Sequence, residues 1–231
     1  MKAISIFLAT LALAIGASAY ADTPTADQIL ARSATSYDSL KSYQATLTVL
    51  TEIDGRREKL TLKIKSVNGA NGRIIRSASE MSHSSTFKGV TRSSSEKQID
   101  DGETVFTLRW DLKQFSKHPH APDNVSGLFK GALTDAAAST SKLNVSVIQL
   151  HGKPVYELSS KQQDSELTIL VEKQTYHLIS IRKWRAHKDG KSTLEMNVSN
   201  QRFNQPIPID AFKWSVPPGF AEATDEKPGQ P

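Results

Sequence analysis

The chain has 231 residues, no cysteine, a formal net charge of +5 and a pI of about 9.3. The absence of cysteine excludes a domain held together by disulfides, and also a lipoprotein whose lipid is attached to a cysteine just after the signal. The length suits one sizeable domain that is stabilised by its own apolar core.

The first 21 residues have the features of a secretory signal peptide. Lys2 gives a positive start, an apolar run follows from Ile4 to Ile15, and Ala19-Tyr20-Ala21 is an A-x-A cleavage site. The run is too short to serve comfortably as a membrane span. We expect cleavage after Ala21 and export to a bacterial periplasm, where the mature chain is predicted to be a soluble monomer.

The positive charge is dispersed over predicted polar strand faces, as in Lys59, Lys63 and Lys65. The ordinary explanation is that lysine on exposed strands discourages edge-to-edge pairing of sheets. The sharper alternative is attraction to anionic phospholipid or to acidic partners. Nucleic acid is not an expected partner, because the chain is exported and has no nucleic-acid-binding motif.

The predicted elements begin with an amphipathic helix over 25–39, whose first residue is a threonine that can cap it. A hairpin over Tyr43–Ser66 follows, with alternating apolar and polar residues on both sides of Asp54-Gly55. From Val67 to Lys97 serines are frequent, which predicts strands with little buried surface. Asp101-Gly102 marks the next turn.

The second predicted helix begins near Val125 and has the clearest helical pattern, with apolar residues at i, i+3, i+4 and i+7. Asp123 or Asn124 can cap it. Alternation of period two then resumes, and two of the later strands flank the turn signal Asp189-Gly190.

Together these elements predict a mainly β domain over residues 22–220. We expect an unclosed antiparallel β half-barrel of about ten or eleven strands, with the two helices covering its concave face. Residues 221–231 are polar and contain proline, and we expect them to form a disordered tail.

The segment "FNQPIPIDAFKWSVPPGF" at 203–220 cannot be a central strand, because Pro206 and Pro208 cannot donate to a sheet ladder. We predict that it leaves the last long strand after Phe203 and crosses the sheet as a stiff closing strap. Phe212 and Trp214 would be its apolar plugs.

No motif of a hydrolase is present, neither G-x-S-x-G nor H-E-x-x-H. His118 and His120 flank one proline and could share a metal, but no third ligand is apparent, and a simple loop explains them as well. Asp100 and Asp101 could be paired carboxylates, but Gly102 follows them, which indicates a turn. We therefore expect a binding protein without enzymatic activity, cofactor or metal.

The order of the motifs resembles a known family. The strand "DGETVF" at 101–106 is followed by "DLKQ" at 111–114, and the closing segment supplies Asn204, Phe212 and a P-x-G at 217–219. In this order they resemble the LolA-like periplasmic carriers of lipoproteins and lipids, especially the predicted periplasmic proteins grouped with them. The resemblance spans nearly the whole mature chain, and it implies a half-barrel with an apolar cavity.

One feature of the lipoprotein carriers is missing. They have an R-P pair on an early strand, whose arginine holds a lid closed. In the corresponding region Arg73 and Arg76 occur, but no proline follows either of them. The gating role is therefore assigned to neither arginine.

The first functional hypothesis is a periplasmic carrier of an acyl-chain ligand, either a lipid or a lipoprotein, with a membrane-bound donor or acceptor protein as a further candidate partner. Each side chain assigned to the ligand has ordinary core packing as its alternative role. The second helix is the candidate lid. The candidate ligand-binding residues are Leu47, Val49, Leu60, Leu62, Ile64, Phe106, Leu108, Val125, Leu128, Phe129, Leu133, Val145, Val147, Ile169 and Met196.

The alternative hypothesis is a periplasmic sensor that binds an envelope signal and a membrane partner. Related half-barrels with that role usually carry an additional C-terminal domain, whereas this chain ends soon after the predicted fold is complete. An exported hydrolase is a third possibility that no motif supports.

Overall fold

The computed structural model describes residues 23–121, 125–138, 142–188 and 190–223. In these residues two helices pack on one open sheet of twelve strands. The helices are α1 (Ala26–Thr35) and α2 (Val125–Ala138), and the strands are β1 (Ser42–Ile53), β2 (Arg56–Asn68), β3 (Ile74–Phe87), β4 (Val90–Asp100), β5 (Thr104–Arg109), β6 (Gln114–Pro119), β7 (Asn144–Leu150), β8 (Lys153–Gln162), β9 (Ser165–Glu172), β10 (Leu178–His187), β11 (Gly190–Phe203) and β12 (Ala221–Glu222).

The strands are ordered β12-β6-β5-β4-β3-β2-β1-β11-β10-β9-β8-β7, and the sheet does not close on itself. All neighbours are antiparallel except β12, which pairs with β6 in parallel. The predicted fold class, an unclosed antiparallel sheet with helices over one face, is confirmed. The sequence predicts ten or eleven strands, whereas the sheet has twelve. The strand that the sequence does not predict is β12, whose two residues are too few to show an alternating pattern.

The chain termini lie mostly outside the described residues. The predicted signal peptide at 1–21 and the chain from 224 onward are not among them. The two possible caps of the second helix, Asp123 and Asn124, also lie outside the described residues. Ala221 and Glu222 belong to the sheet, so the predicted boundary of the domain at 220 is two residues too early.

Local signals in the first third of the chain act as the sequence predicts. Thr25 and Gln28 form a capping box, in which the hydroxyl oxygen of Thr25 accepts from the Gln28 amide nitrogen at 3.3 Å. The β1–β2 hairpin turns at Asp54-Gly55, both with positive φ (49° and 76°). α1 ends at Thr35, four residues before the predicted end, because the chain turns there and buries Tyr37.

The register defines the two faces of the sheet, because directly opposed residues in antiparallel strands project to the same side. One face is apolar across β1 and β11 to β7, and both helices pack on it through Ile29, Phe129 and Leu133. We call it the covered face. Its central row reads Val49, Met196, Ile181, Ile169, Leu158 and Val145.

The same face becomes polar on the other side of β2. Leu62 lies opposite Met81 of β3, and the row continues with Glu96, Arg109 and Gln114 on β4, β5 and β6. No apolar cover is therefore needed on this half, which agrees with the serine-rich strands that the sequence predicts there.

A second, smaller apolar cluster lies on the opposite face, under the closing strap (204–220). Phe106 and Leu108 are buried there, and Phe106 lies opposite Ile99 in the register. Phe212 is buried, and the ring of Trp214 stacks on that of Phe106. Phe212 and Trp214 pack as predicted, but the strap is not extended throughout, because Ile209–Phe212 form a 3₁₀ turn, and it covers the face opposite the helices.

The strap begins at a residue of the family motif, Asn204, which has φ of 56°. Asparagine tolerates this left-handed conformation better than most residues. The side-chain oxygen of Asn204 accepts from the Lys41 amide nitrogen at 2.7 Å. The backbone nitrogen of Asn204 donates to the Ser42 carbonyl oxygen at 3.0 Å. The turn is thereby tied to the start of β1.

Candidate ligand-binding face

Most of the predicted ligand-binding residues lie on the covered face. On the strands these are Leu47, Val49, Leu60, Leu62, Ile64, Val145, Val147, Ile169 and Met196. Phe129 and Leu133 face them from α2 within the same buried cluster. The side chains of Val125 and Leu128 lie outside the described residues.

The prediction for Phe106 and Leu108 is wrong. The unbroken register from β2 to β5 places Glu96 and Arg109 on the covered side, so their neighbours Phe106 and Leu108 project to the opposite side. Both are nearly fully buried there under the strap. They stabilise a separate cluster and do not contribute to the face that α2 covers.

An aromatic cluster lies at the centre of the contact between α2 and the sheet. Phe129 stacks on Tyr37, with ring centroids 4.4 Å apart, and its edge meets Tyr43 at 6.0 Å. His177 stacks on Phe203 at 4.0 Å and contacts Tyr37 at 4.9 Å. Four of these five rings were not predicted as site residues, because their positions lie at the ends of elements, where the alternating pattern gives no information.

Polar groups are buried within this apolar surrounding. The Tyr37 hydroxyl oxygen accepts from the Leu178 amide nitrogen at 3.0 Å, and burial raises the pKa of both Tyr37 and Tyr43, so both phenols stay protonated. The hydroxyls of Ser33 and Ser66 have no hydrogen-bond partner among the described residues. Ser66 lies directly opposite Tyr43 in the register.

His177 is a further buried polar residue of the cluster. Its Nδ1 has no hydrogen-bond partner among the described residues, and burial lowers the pKa of the imidazole below its usual 6.5. The side chain is therefore neutral at physiological pH, and it packs as an aromatic ring.

Among the described residues, most side chains of the covered face are buried. Five of the grooves formed by described residues have volumes of about 370 to 570 Å³, and no ring of the aromatic cluster lines any of these five. One of about 570 Å³ lies on the opposite face beside the strap, with Lys63, Lys65 and Arg202 among its lining residues. α2 packs on the covered face through Phe129 and Leu133, so a ligand that took the place of these two side chains would have to displace the helix.

His118 lies on β6, and His120 directly follows that strand. His120 Nδ1 lies 2.8 Å from Asp100 Oδ2, while His118 is exposed. Within the described ranges, no three histidine, aspartate or glutamate side chains come together as a metal site would require. The predicted loop holds only for His120, because His118 belongs to β6 (Gln114–Pro119).

Asp100 and Asp101 form a turn, as the following glycine predicts. Asp101 Oδ1 accepts from the amide nitrogens of Glu103 and Thr104 at 3.0 and 2.9 Å, and the Thr104 bond is the main reason that the pKa of Asp101 is lowered. Arg76 Nε donates to the Asp101 carbonyl at 2.9 Å. Arg76 therefore stabilises the β4–β5 turn through this hydrogen bond.

The described helices, α1 and α2, are not long and apolar enough to cross a membrane. No protein-family model matches the chain, and no curated protein matches it.

Solved structures that match the chain include a LolA superfamily protein and an outer-membrane lipoprotein-sorting domain, the kind of protein that the motifs resemble. The LolA superfamily protein, from Nitrosomonas europaea, is 12% identical over 83% of this chain and 99% of its own, with a TM-score of 0.30. The putative sorting domain, from Vibrio parahaemolyticus, is 11% identical over 79% and 94%, also at 0.30.

A third similar structure is the complex of MucA and MucB from Pseudomonas aeruginosa. It is 11% identical over 81% of this chain, with a TM-score of 0.37. The match covers 60% of the length of that chain, so it spans only part of its relative.

Proposed function

We propose that the protein is an exported binding protein, without enzymatic activity, that holds one acyl-chain ligand between the covered face and α2. The ligand would be a free lipid or the lipid of a lipoprotein. The observation that carries this proposal is a continuous apolar row across six strands, covered by α1 and by α2, a helix that contains two glycines.

The weakness of α2 comes from its glycines. Gly127 and Gly131 are both exposed, and a glycine inside a helix costs about 0.5–1 kcal/mol relative to alanine. A Cβ at Gly131 would meet no atom within 4 Å, so packing does not require glycine there. Among its described side chains, Phe129 and Leu133 are the two that are fully buried and hold the helix on the sheet.

Apolar burial of the ligand is the contribution that would offset the displacement of α2. Burial contributes about 0.8 kcal/mol per methylene, so a chain of roughly sixteen carbons gains on the order of 10 kcal/mol. Exposing one Phe and one Leu side chain costs about 1.5–3 kcal/mol each. The unpartnered hydroxyls of Ser33 and Ser66 would offer hydrogen bonds to the polar end of the ligand.

The test is a titration with a sixteen-carbon fatty acid that carries an environment-sensitive fluorophore. We expect saturable binding of one equivalent. Gly131→Ala strengthens α2 by up to about 1 kcal/mol, which should weaken binding by about fivefold. Lys130→Ala is the matched control, since it is exposed on the same helix and changes helix propensity little.

Two results would contradict the proposal. If the wild-type protein does not protect the fluorophore from water, it binds no acyl chain. Equal weakening by Gly131→Ala and Lys130→Ala would show that opening of α2 is not the step that admits the ligand.

A further inference from the structure

Exposed apolar side chains gather at one end of the sheet, where the β1–β2 and β3–β4 hairpins turn. Ile53 is 51% exposed, Phe87 46% and Val90 62%. Each lies within one or two residues of the glycine that makes its turn, Gly55 or Gly89. Single exposed apolar side chains are ordinary, but a contiguous group of them marks an interaction site.

These residues form one continuous row. Phe87 lies directly opposite Val90, and Ile53 lies opposite Arg56. The β2–β3 register places Arg57 opposite Thr86, which brings the next residue, Arg56, beside Phe87. Two adjoining grooves of about 490 and 410 Å³ share Arg56 and Phe87 as lining residues. We call Ile53, Arg56, Phe87, Lys88, Val90 and Arg92 the hairpin-tip patch.

The charges of the patch are mainly positive. Arg56 Nε is paired with Glu58 Oε1 at 2.8 Å. Lys88 and Arg92 have no carboxylate within ion-pair distance among the described residues. Lys88 Nζ lies 5.3 Å from the centre of the Phe87 ring, so a cation and an aromatic ring are presented together.

We propose that the hairpin-tip patch docks the protein onto an anionic phospholipid surface. Aromatic and aliphatic side chains flanked by lysine and arginine are suited to the boundary between lipid headgroups and acyl chains. Ile53, Phe87 and Val90 enter this boundary, while Lys88 and Arg92 meet lipid phosphates. Charge complementarity favours a lipid surface over a second copy of the chain, whose own patch carries the same positive charge.

The test is co-sedimentation of the full chain with vesicles of phosphatidylcholine, prepared with and without phosphatidylglycerol. We expect the protein to pellet with the vesicles that contain phosphatidylglycerol and to dissociate as salt is added. No fatty acid is present in this assay, so its failure would leave the acyl-chain proposal standing.

Two pairs of variants locate the docking surface. Phe87→Ser with Val90→Ser should weaken binding by about tenfold, because two inserted apolar side chains are lost. Lys88→Glu with Arg92→Glu should weaken it by at least about tenfold, since each cation near an anionic surface is worth about fivefold. Melting temperatures would verify that each variant is folded.

The controls repeat the same chemical changes elsewhere on the surface. Ile75→Ser with Ile209→Ser removes two other exposed apolar side chains, and Lys63→Glu with Lys65→Glu changes the net charge equally on the opposite face. Both control pairs should bind within about twofold of wild type. The proposal is overturned if each control loses as much binding as its test pair, or if wild type does not distinguish the two vesicles. Self-association that disappears in Phe87→Ser with Val90→Ser would also overturn it, in favour of a second copy.

Discussion

His177 is the residue whose chemistry stands out most from its surroundings. It is a base buried between Phe203 and Tyr37, with an Nδ1 that has no partner among the described residues. Burial disfavours the charged imidazolium and lowers the pKa of the group in the native state. The unfolded chain has no such restriction and titrates near 6.5.

The consequence is a loss of stability in acid. Above about pH 6.5 both states are neutral at this site, and His177 adds no pH dependence. As the pH falls through 6.5, the unfolded state takes up a proton that the native state refuses, so the free energy of unfolding decreases until the lowered native pKa is reached. Urea unfolding between about pH 5 and pH 8 measures this slope.

His177→Leu should remove much of that slope, while His118→Leu, which changes an exposed histidine, should keep it. An unchanged slope in His177→Leu would show that another group is responsible.

At this scale the sequence predicts which residues are buried better than it predicts the face to which they project. Leu47 and Leu62 are apolar members of alternating strands, and so are Phe106 and Leu108. Alternation separates two faces within a strand, but it does not say which face of one strand continues which face of another. That information is in the register, which depends on contacts between strands distant in sequence.

The closing strap is the element in which local chemistry determines the structure most directly. Its prolines keep it out of the sheet, and Asn204 turns the chain at positive φ. Phe212 is buried, and Trp214 stacks on Phe106 of β5. Its course outside the sheet and its two apolar plugs are predictable from these residues, whereas its 3₁₀ turn at Ile209–Phe212 is not. The side of the sheet on which it lies is not, for the same reason that applies to Phe106.

Removal of one plug measures what the strap contributes. Trp214→Ala deletes the ring that stacks on Phe106 and should lower the free energy of unfolding by about 2 kcal/mol, less than for a fully buried tryptophan because Trp214 is half-buried. Trp110→Ala is the control. Trp110 is largely exposed, and its loss should cost less than about 1 kcal/mol. Equal losses in urea unfolding would show that the stacking on Phe106 is not what holds the strap.

At the scale of the molecule, the described chain forms one sheet with two halves. The helices cover one face of one half, and the strap covers the opposite face of the other half. The helices bury the apolar face of β7 to β11, β1 and β2, and the strap buries part of the opposite face over β4 to β6. The long β3–β4 hairpin has few buried residues on either side. The sequence predicts the elements of this arrangement and the helical cover, because the alternating strands and the α2 pattern are local.

The central claim is that α2 yields its place on the covered face to an acyl chain. Hydrogen exchange of the full chain, with and without a saturating sixteen-carbon fatty acid, tests this most directly. If the claim holds, amides of α2 exchange faster when the ligand is bound, because Phe129 and Leu133 have lost their packing, while amides of β1 and β9 to β11 exchange at the same rate or more slowly. Bound fatty acid that leaves the exchange of α2 unchanged, or that slows it together with the sheet, would contradict the claim.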